Sequence, residues 1–270
     1  MALKTPPVVF IGPFEHHSAE LPWTNNKAHI VRIQEQANGQ PDYNQLEIAM
    51  EQWSKSGLPL IGCFSAASNV TGVLTDTIRV SQIIHKFNGI SVFDYATAAP
   101  YVKIDMHPPE PNSHKDVVFF SPHKFPGGVN TPGILVAAKQ LFKNKVPMGG
   151  GGGGTIFWVS EENHRFLAEP EEREEPGTPD LVGSVRAGLI MQLKESVGAE
   201  KLELREMEIS KRVMPALSKI ENLELLLPDV HDRLPIFSFL IRVPGTSIYL
   251  HHNFIASILN DVFGIQGRVL

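Results

Sequence analysis

The residues best equipped for chemistry lie at 121–128, Ser-Pro-His-Lys-Phe-Pro-Gly-Gly. They follow the apolar stretch 116–120, which reads as a strand, so Lys124 emerges just past a strand's carboxyl end. In open α/β sheets that edge is where ligands bind. A lysine amine there can form a Schiff base while Ser121, His123 and the glycines hold a phosphate. The octapeptide alone also fits a solvated loop lysine, the common fate of that residue. Asp94 strengthens the first reading. It ends the run 89–93 and brings a carboxylate to the same sheet edge. Pyridoxal phosphate needs such a carboxylate to keep its ring nitrogen protonated, so that the ring can take electrons from a substrate carbanion. An Asp in this place also fits the cap of a following helix.

His16 and His17 come directly after the first strand, within Glu-His-His-Ser-Ala-Glu at 15–20. One ring there can stack on a cofactor. No metal is expected at this pair or at His251 and His252. Adjacent residues rarely aim both rings at one ion, and no third ligand stands at a recognisable spacing. Cys63 is the only cysteine, which excludes an internal disulfide framework and a cysteine-only zinc site. It sits in an apolar run and reads as a core thiol. The six-glycine tract 149–154 matches any glycine motif trivially, and the acidic run 171–175 reads as a solvated loop.

These residues need a frame to hold them. The runs 8–11, 30–33, 58–64, 90–93, 117–120 and 155–159 are almost continuously apolar, as strands covered on both faces should be. A helix is expected between the second and third runs. Asp42 caps it, Gln45 is set to reach back to the cap, and Leu46, Ala49, Met50 and Trp53 share one face before Gly57. Thr131-Pro132 and Thr178-Pro179 signal two further helix starts, the first carrying Leu135, Ala138 and Phe142, the second Leu181, Val182, Val185, Leu189 and Leu193. Strands separated by helix-length crossovers predict an α/β domain with a mainly parallel sheet over residues 1–205. Residues 206–270 read as a partial, small α+β domain. Pro215 marks a kink or boundary, strand-like runs lie at 236–241 and 247–250, and Asn253 caps a final helix.

With 270 residues, 42% hydrophobic and 20% charged, the chain has an ordinary globular composition. A net charge of −5 offers no general field for phosphates, so nucleic acid is a poor partner. No apolar run approaches the about 20 residues that span a bilayer, and the prolines near the start break any signal-peptide core. A reducing, cytoplasmic setting without membrane attachment is expected.

His16, Asp94 and Lys124, in that order and in these local contexts, resemble the class V aminotransferase family of fold-type I pyridoxal-phosphate enzymes. The cysteine desulfurase and selenocysteine lyase-like branch looks nearest. Residues 65–72, ending Ser-Asn-Val-Thr-Gly, resemble the family's S-N-V-x-G turn, and Glu-Pro-Gly-Thr-Pro at 175–179 resembles its E-x-G-T-P. The glycine tract fits the family's glycine-rich turn at a dimer interface, and Leu-His-His-Asn at 250–253 resembles the start of the small domain. The resemblance implies that Lys124 carries the cofactor and shuttles the proton, that Asp94 pairs with the pyridine nitrogen, and that His16 stacks on the ring. It implies Asn69 near the phenolic oxygen, and Ser121 and His123 at the phosphate. Thr178 would reach the phosphate of the partner subunit in a homodimer. Thr97 stands where many members have a Gln on the phenolic oxygen.

The resemblance further implies a phosphate-binding turn upstream of the first strand, and a loop beyond Gln266 to Arg268 with the substrate-carboxylate arginine and, in desulfurases, the nucleophilic cysteine. The chain is therefore expected to be truncated at both ends relative to the family. Two functions follow. The first is a pyridoxal-phosphate-dependent enzyme on a small amino acid, of desulfurase or lyase type. The second is a catalytically impaired relative that keeps the fold and binds the cofactor weakly or not at all. A simple hydrolase or nucleotide-binding domain lacks its G-x-S-x-G elbow or phosphate loop.

Overall fold

Four successive apolar residues form β1 (Val8–Ile11), and all four are buried because the strand is covered on both faces. In the computed structural model, which describes residues 5–230 and 232–269, β1 lies inside a six-stranded sheet. Residues 1–4 of the amino-terminal stretch and the last residue of 266–270 lie outside the described residues.

The chain continues through α1 (His17–Asn25), β2 (His29–Arg32), α2 (Tyr43–Ser54), β3 (Leu60–Ser65), α3 (Thr77–Lys86), β4 (Ile90–Asp94), β5 (Val117–Phe120) and β6 (Ile134–Ala137). Sheet order is β2-β1-β3-β4-β5-β6, with every pair parallel except β5 and β6. From β1 the chain steps outward to β2 and then returns past β1 to β3. The crevice between the carboxyl ends of β1 and β3 is thus a topological switch point.

Alternation along the strands sorts the core. Val8, Phe10, Phe64, Phe93 and Val118 share one cluster with Leu46 and Met50 of α2 and Val80 and Ile84 of α3. Val9, Ile11, Cys63 and Val92 face the other way, against Ala19 of α1. Asp42 caps α2 through bonds from the N–H groups of Asn44 and Gln45, and Asp76 caps α3 through Arg79. Gly57, at φ +72°, follows the end of α2. Gln45 does not close a reciprocal box. Its side-chain oxygen accepts instead from Gln34 N at 2.6 Å, tying the helix to the end of β2.

Several expectations fail for a common reason: a local signal is overruled by pairing elsewhere. The Thr131-Pro132 segment is not a helix. Residues Ile134–Ala137 form β6, in register with β5 from Phe120 opposite Ile134 to Val117 opposite Ala137. The run at 155–159 is no buried sheet strand. It becomes β7 (Ile156–Val159), an exposed strand that among the described residues pairs only with β8 (His164–Phe166). After α4 (Pro170–Arg173) comes α5 (Leu181–Val197), capped by Asp180, whose side chain accepts from Gly183 N, and not by Thr178. The face of α5 made by Leu181, Val182, Val185, Leu189 and Leu193 is open, each residue between 53% and 69% exposed.

Helix α6 (Ala199–Leu217) includes Pro215 in its last turn, where it removes one intrahelical hydrogen bond, and ends two residues later. A small antiparallel pair, β9 (Leu223–Leu225) with β10 (Phe239–Ile241), then forms a separate two-stranded sheet. Within the segment predicted as strand at 247–250 there is one isolated bridge, Arg242 to Tyr249. Helix α7 (His252–Phe263) takes His251 as its cap, the ring accepting from Asn253 N, so the expected capping role of Asn253 moves two residues back. Among the described residues, no helix is long and apolar enough to cross a membrane.

Candidate active site

Four strand ends converge on one cavity of about 510 Å³. Its wall includes His16 after β1, Ser65 and Asn69 after β3, Asp94 and Thr97 at and after β4, and Ser121, His123 and Lys124 after β5. Seven of the eight residues singled out in the sequence therefore meet at the carboxyl edge of the sheet. Thr178 does not line the cavity and lies exposed in the loop before α5.

Lys124 is held by a tightly folded loop. Ser121 to Lys124 make one 3-10 turn closed by Lys124 N to Ser121 O at 3.0 Å, and Gly128 N bonds Phe125 O at 2.9 Å. Phe125 is buried, its ring 6.0 Å from Phe120, and anchors the loop next to the lysine. Gly128 is required here, because a Cβ would sit 2.0 Å from the Pro122 carbonyl oxygen.

Asp94 is buried, and one carboxylate oxygen accepts from Ala96 N at 2.7 Å. No helix follows it, so this is an Asx turn and not a helix cap. Burial pushes its carboxyl above the ordinary range, opposed by the Ala96 N–H and by the charges of Lys124 and His16. A cationic nitrogen placed against it would remove that penalty. His16 caps α1 and its Nδ1 lies 2.7 Å from Ser18 Oγ. Its pKa is lowered by desolvation first, then by His17 and Lys124, which favours the neutral ring.

Asn69 stands at the tip of a turn built by Ser68. The Ser68 hydroxyl accepts from Val70 N and Thr71 N, and its carbonyl accepts from Gly72 N at 2.9 Å. Gly72 has φ +76°, and a Cβ would meet Leu234 O at 2.5 Å. The close approach lets Leu234 N bond Gly72 O, and so brings Ile236, Phe237 and Ser238 over the cavity. Arg268 completes the rim and also borders an adjoining hollow of about 880 Å³ that shares His16 and Asn69.

Sequence reasoning missed Glu15, Ser65 and Arg268 as site residues. Arg268 was noticed only as the point where the family pattern runs on, and Glu15 only as a neighbour of His16. Glu15 is half-buried on the wall of the adjoining hollow, its two oxygens accepting from Ser65 N and Ser65 Oγ, each at 2.7 Å. Desolvation raises its pKa from 4.5 to about 7, the Ser65 bonds oppose this, and Asp94 and Glu20 add to it. Cys63 is buried nearby and its thiol is pushed up to about 12, chiefly by burial, so it is an inert core thiol as the sequence implied.

Glu15 carries a testable consequence for stability. Its folded pKa lies above its ordinary value, so its stabilising effect is complete below about pH 4.5 and is lost as pH rises through about 7. The loss is on the order of 3 kcal/mol at pH 8. Glu15→Gln keeps an acceptor for Ser65 N and supplies a donor to Ser65 Oγ without ionising. The variant is expected to melt several degrees above the parent at pH 8, with the gap closing toward pH 5. Melting curves across this range check it, and a gap independent of pH would refute the assignment.

The donor set suits pyridoxal phosphate. A lysine amine, a buried carboxylate with one oxygen bonded to Ala96 N, a neutral ring at the mouth, and Ser121 and His123 beside the lysine supply the groups such a cofactor requires.

The aminotransferase class-V family profile matches residues 2–266. A probable cysteine desulfurase of Pyrococcus abyssi is 29% identical over 249 residues, covering 92% of this chain and 59% of that protein. One from Halalkalibacterium halodurans is 26% identical over 234 residues, covering 85% and 55%. Among solved structures, the apo cysteine desulfurase of Thermococcus onnurineus matches with a TM-score of 0.76 at 25% identity, over 95% of this chain and 61% of that one. The cysteine desulfurase CsdA of Escherichia coli, in an S-sulfonic acid form, gives 0.77 at 20% identity, over 97% and 62%. The chain thus spans between 55% and 62% of the length of these relatives.

Proposed function

The chain belongs to the aminotransferase class-V family, and from that membership we propose that it binds pyridoxal 5'-phosphate and acts on a small amino acid, with cysteine desulfurase or lyase chemistry. Its α/β fold is that of the fold-type I pyridoxal-phosphate enzymes. The observation that carries the proposal is the meeting of Lys124, Asp94 and His16 with Ser121 and His123 in one cavity at the switch-point edge.

Bound there, the cofactor supplies an electron sink for the carbanion formed at the substrate's α-carbon. Lys124 holds it covalently and then moves the α-proton on Nζ. Asp94 holds the proton on the pyridine nitrogen. His16 covers the ring and excludes water from one face, while Ser121 and His123 bind phosphate oxygens. Asn69 and Thr97 orient the phenolic side. Arg268 is a guanidinium on the rim, suited to a substrate carboxylate.

Thr178 acts from a second copy in this reading, which makes the working unit a homodimer. The open apolar face of α5, just beyond Thr178, supports that assembly. Cys63 is no sulfur acceptor, so sulfur leaving a cysteine substrate must pass to another thiol. A reducing, cytoplasmic compartment fits the single free cysteine.

The test is turnover of the chain loaded with pyridoxal phosphate, given L-cysteine and excess dithiothreitol, with alanine and sulfide measured together. Equal release of both is expected, with oxidised dithiothreitol balancing the electrons. Loading without consumption of cysteine, selenocysteine or other small amino acids would instead favour the impaired relative.

A further inference from the structure

At the opposite edge of the sheet from the cavity, a second set of chemically able side chains comes together. His85 lies in the last turn of α3, His114 in the loop before β5, and Asp116 directly before β5. One ligand atom from each, two imidazole nitrogens and a carboxylate oxygen, lies within 4.8 Å of the others. His85 Nε2 is 2.9 Å from Asp116 Oδ2, and His114 Nε2 is 3.7 Å from Asp116 Oδ1. The two rings stack with centroids 3.9 Å apart.

The surroundings pre-orient these groups. His85 Nδ1 lies 2.8 Å from the Asn112 carbonyl oxygen, which can only accept, so Nδ1 carries a hydrogen. This is the arrangement by which a backbone carbonyl fixes a metal-binding histidine. At 2.9 Å from a carboxylate oxygen Nε2 carries a hydrogen too, so an ion binds there by displacing that proton and taking the Nε2 lone pair. Asp116 is fixed as well, since Oδ2 accepts from Ser91 N at 2.8 Å and from Ser91 Oγ at 3.2 Å. That leaves Oδ1 on the His114 side. His114 is half exposed, which gives an ion a way in and room for water as a fourth ligand.

We propose that His85, His114 and Asp116 form a binding site for a divalent transition-metal ion of the zinc type, separate from the catalytic cavity. Two imidazoles with one carboxylate select zinc or cobalt over magnesium or calcium, which prefer all-oxygen shells. Zinc bonds of about 2.0–2.2 Å place tetrahedral ligand atoms about 3.4 Å apart, between the two His–Asp distances seen here. The rings are stacked nearly parallel, so the half-exposed His114 must turn for both nitrogens to meet one ion. The ion ties the end of α3 to the starts of β4 and β5, so its role is to fasten the sheet.

Equilibrium dialysis of the full chain against zinc chloride, paralleled by visible spectra with cobalt(II), tests the site. One ion per chain is expected, with a tetrahedral cobalt spectrum. His114→Ala alters a half-exposed side chain and is expected to weaken zinc binding roughly 100-fold. His114→Cys is expected to restore it with a new thiolate-to-cobalt band. A combined His17→Ala, His252→Ala variant removes one ring from each exposed histidine pair and is expected to bind as the parent does. Loss of binding in that control with retention in His114→Ala would overturn the proposal. So would the absence of zinc uptake below millimolar concentration.

Discussion

Lys124→Ala is expected to abolish covalent capture of pyridoxal phosphate and to reduce amino-acid turnover by at least about 10⁵-fold, roughly 7 kcal/mol of transition-state stabilisation. Among the described residues Lys124 is the only lysine on the cavity wall, so no other described amine is placed to take over. On the proposed function the loss is double, since one Nζ would both tether the cofactor and carry the substrate proton. The variant should fold normally. The loop is anchored by Phe125 and by backbone bonds around Lys124, none of which uses the lysine side chain. The measurement is visible absorbance with added pyridoxal phosphate, then borohydride and peptide mass mapping. The parent should carry a reduced adduct on Lys124 and the variant none. An adduct on another lysine with turnover intact would end the assignment.

Asp94→Asn is the second large effect, and it separates binding from chemistry. The amide oxygen can still accept from Ala96 N, so the turn after β4 should survive. A neutral amide cannot hold a proton on the pyridine nitrogen, and an unprotonated ring is a poor electron sink. Capture of the cofactor by Lys124 should persist, with a shifted absorbance, while kcat falls about 10³-fold, equivalent to about 4 kcal/mol. Burial already raises the Asp94 carboxyl in the protein alone, so the carboxylate gains most from a cationic partner. Stopped-flow absorbance with substrate, beside steady-state kcat, distinguishes the steps. A kcat within about tenfold of the parent would show that another group holds the ring proton.

Much of this site was legible because the chemistry sits one to four residues past apolar runs that can only be strands. Lys124 and Asp94 were placed by that rule alone, and Asn69 by the family-like turn that holds it. What the sequence hid depends on long-range contact. Glu15 becomes special only because Ser65, 50 residues away, bonds both its oxygens. The proposed metal ligands at 85, 114 and 116 come from a helix, a loop and the residue before a strand, so no single local spacing announces all three. In β6, apolar residues at 135 and 138 after a Thr-Pro pair mimic a helix, yet the pairing of Ile134–Ala137 with β5 prevails. The exposed run in β7 shows the same weakness from the other side, since apolar content does not say what will cover it.

The antiparallel join of β5 and β6 also bears on the order of assembly. It is the most local pairing in the main sheet, its two strands linked only by residues 121–133, whereas the parallel pairs each need a longer crossover. Closure entropy rises with the length of chain enclosed, so on contact order alone this hairpin closes first. The lysine loop therefore takes shape on the earliest-forming piece of sheet, before β1 and β3 bring His16 and Asn69 alongside. On the proposed function, cofactor capture would then be a late event in folding, one that rewards completion of the slow parallel pairs instead of nucleating them.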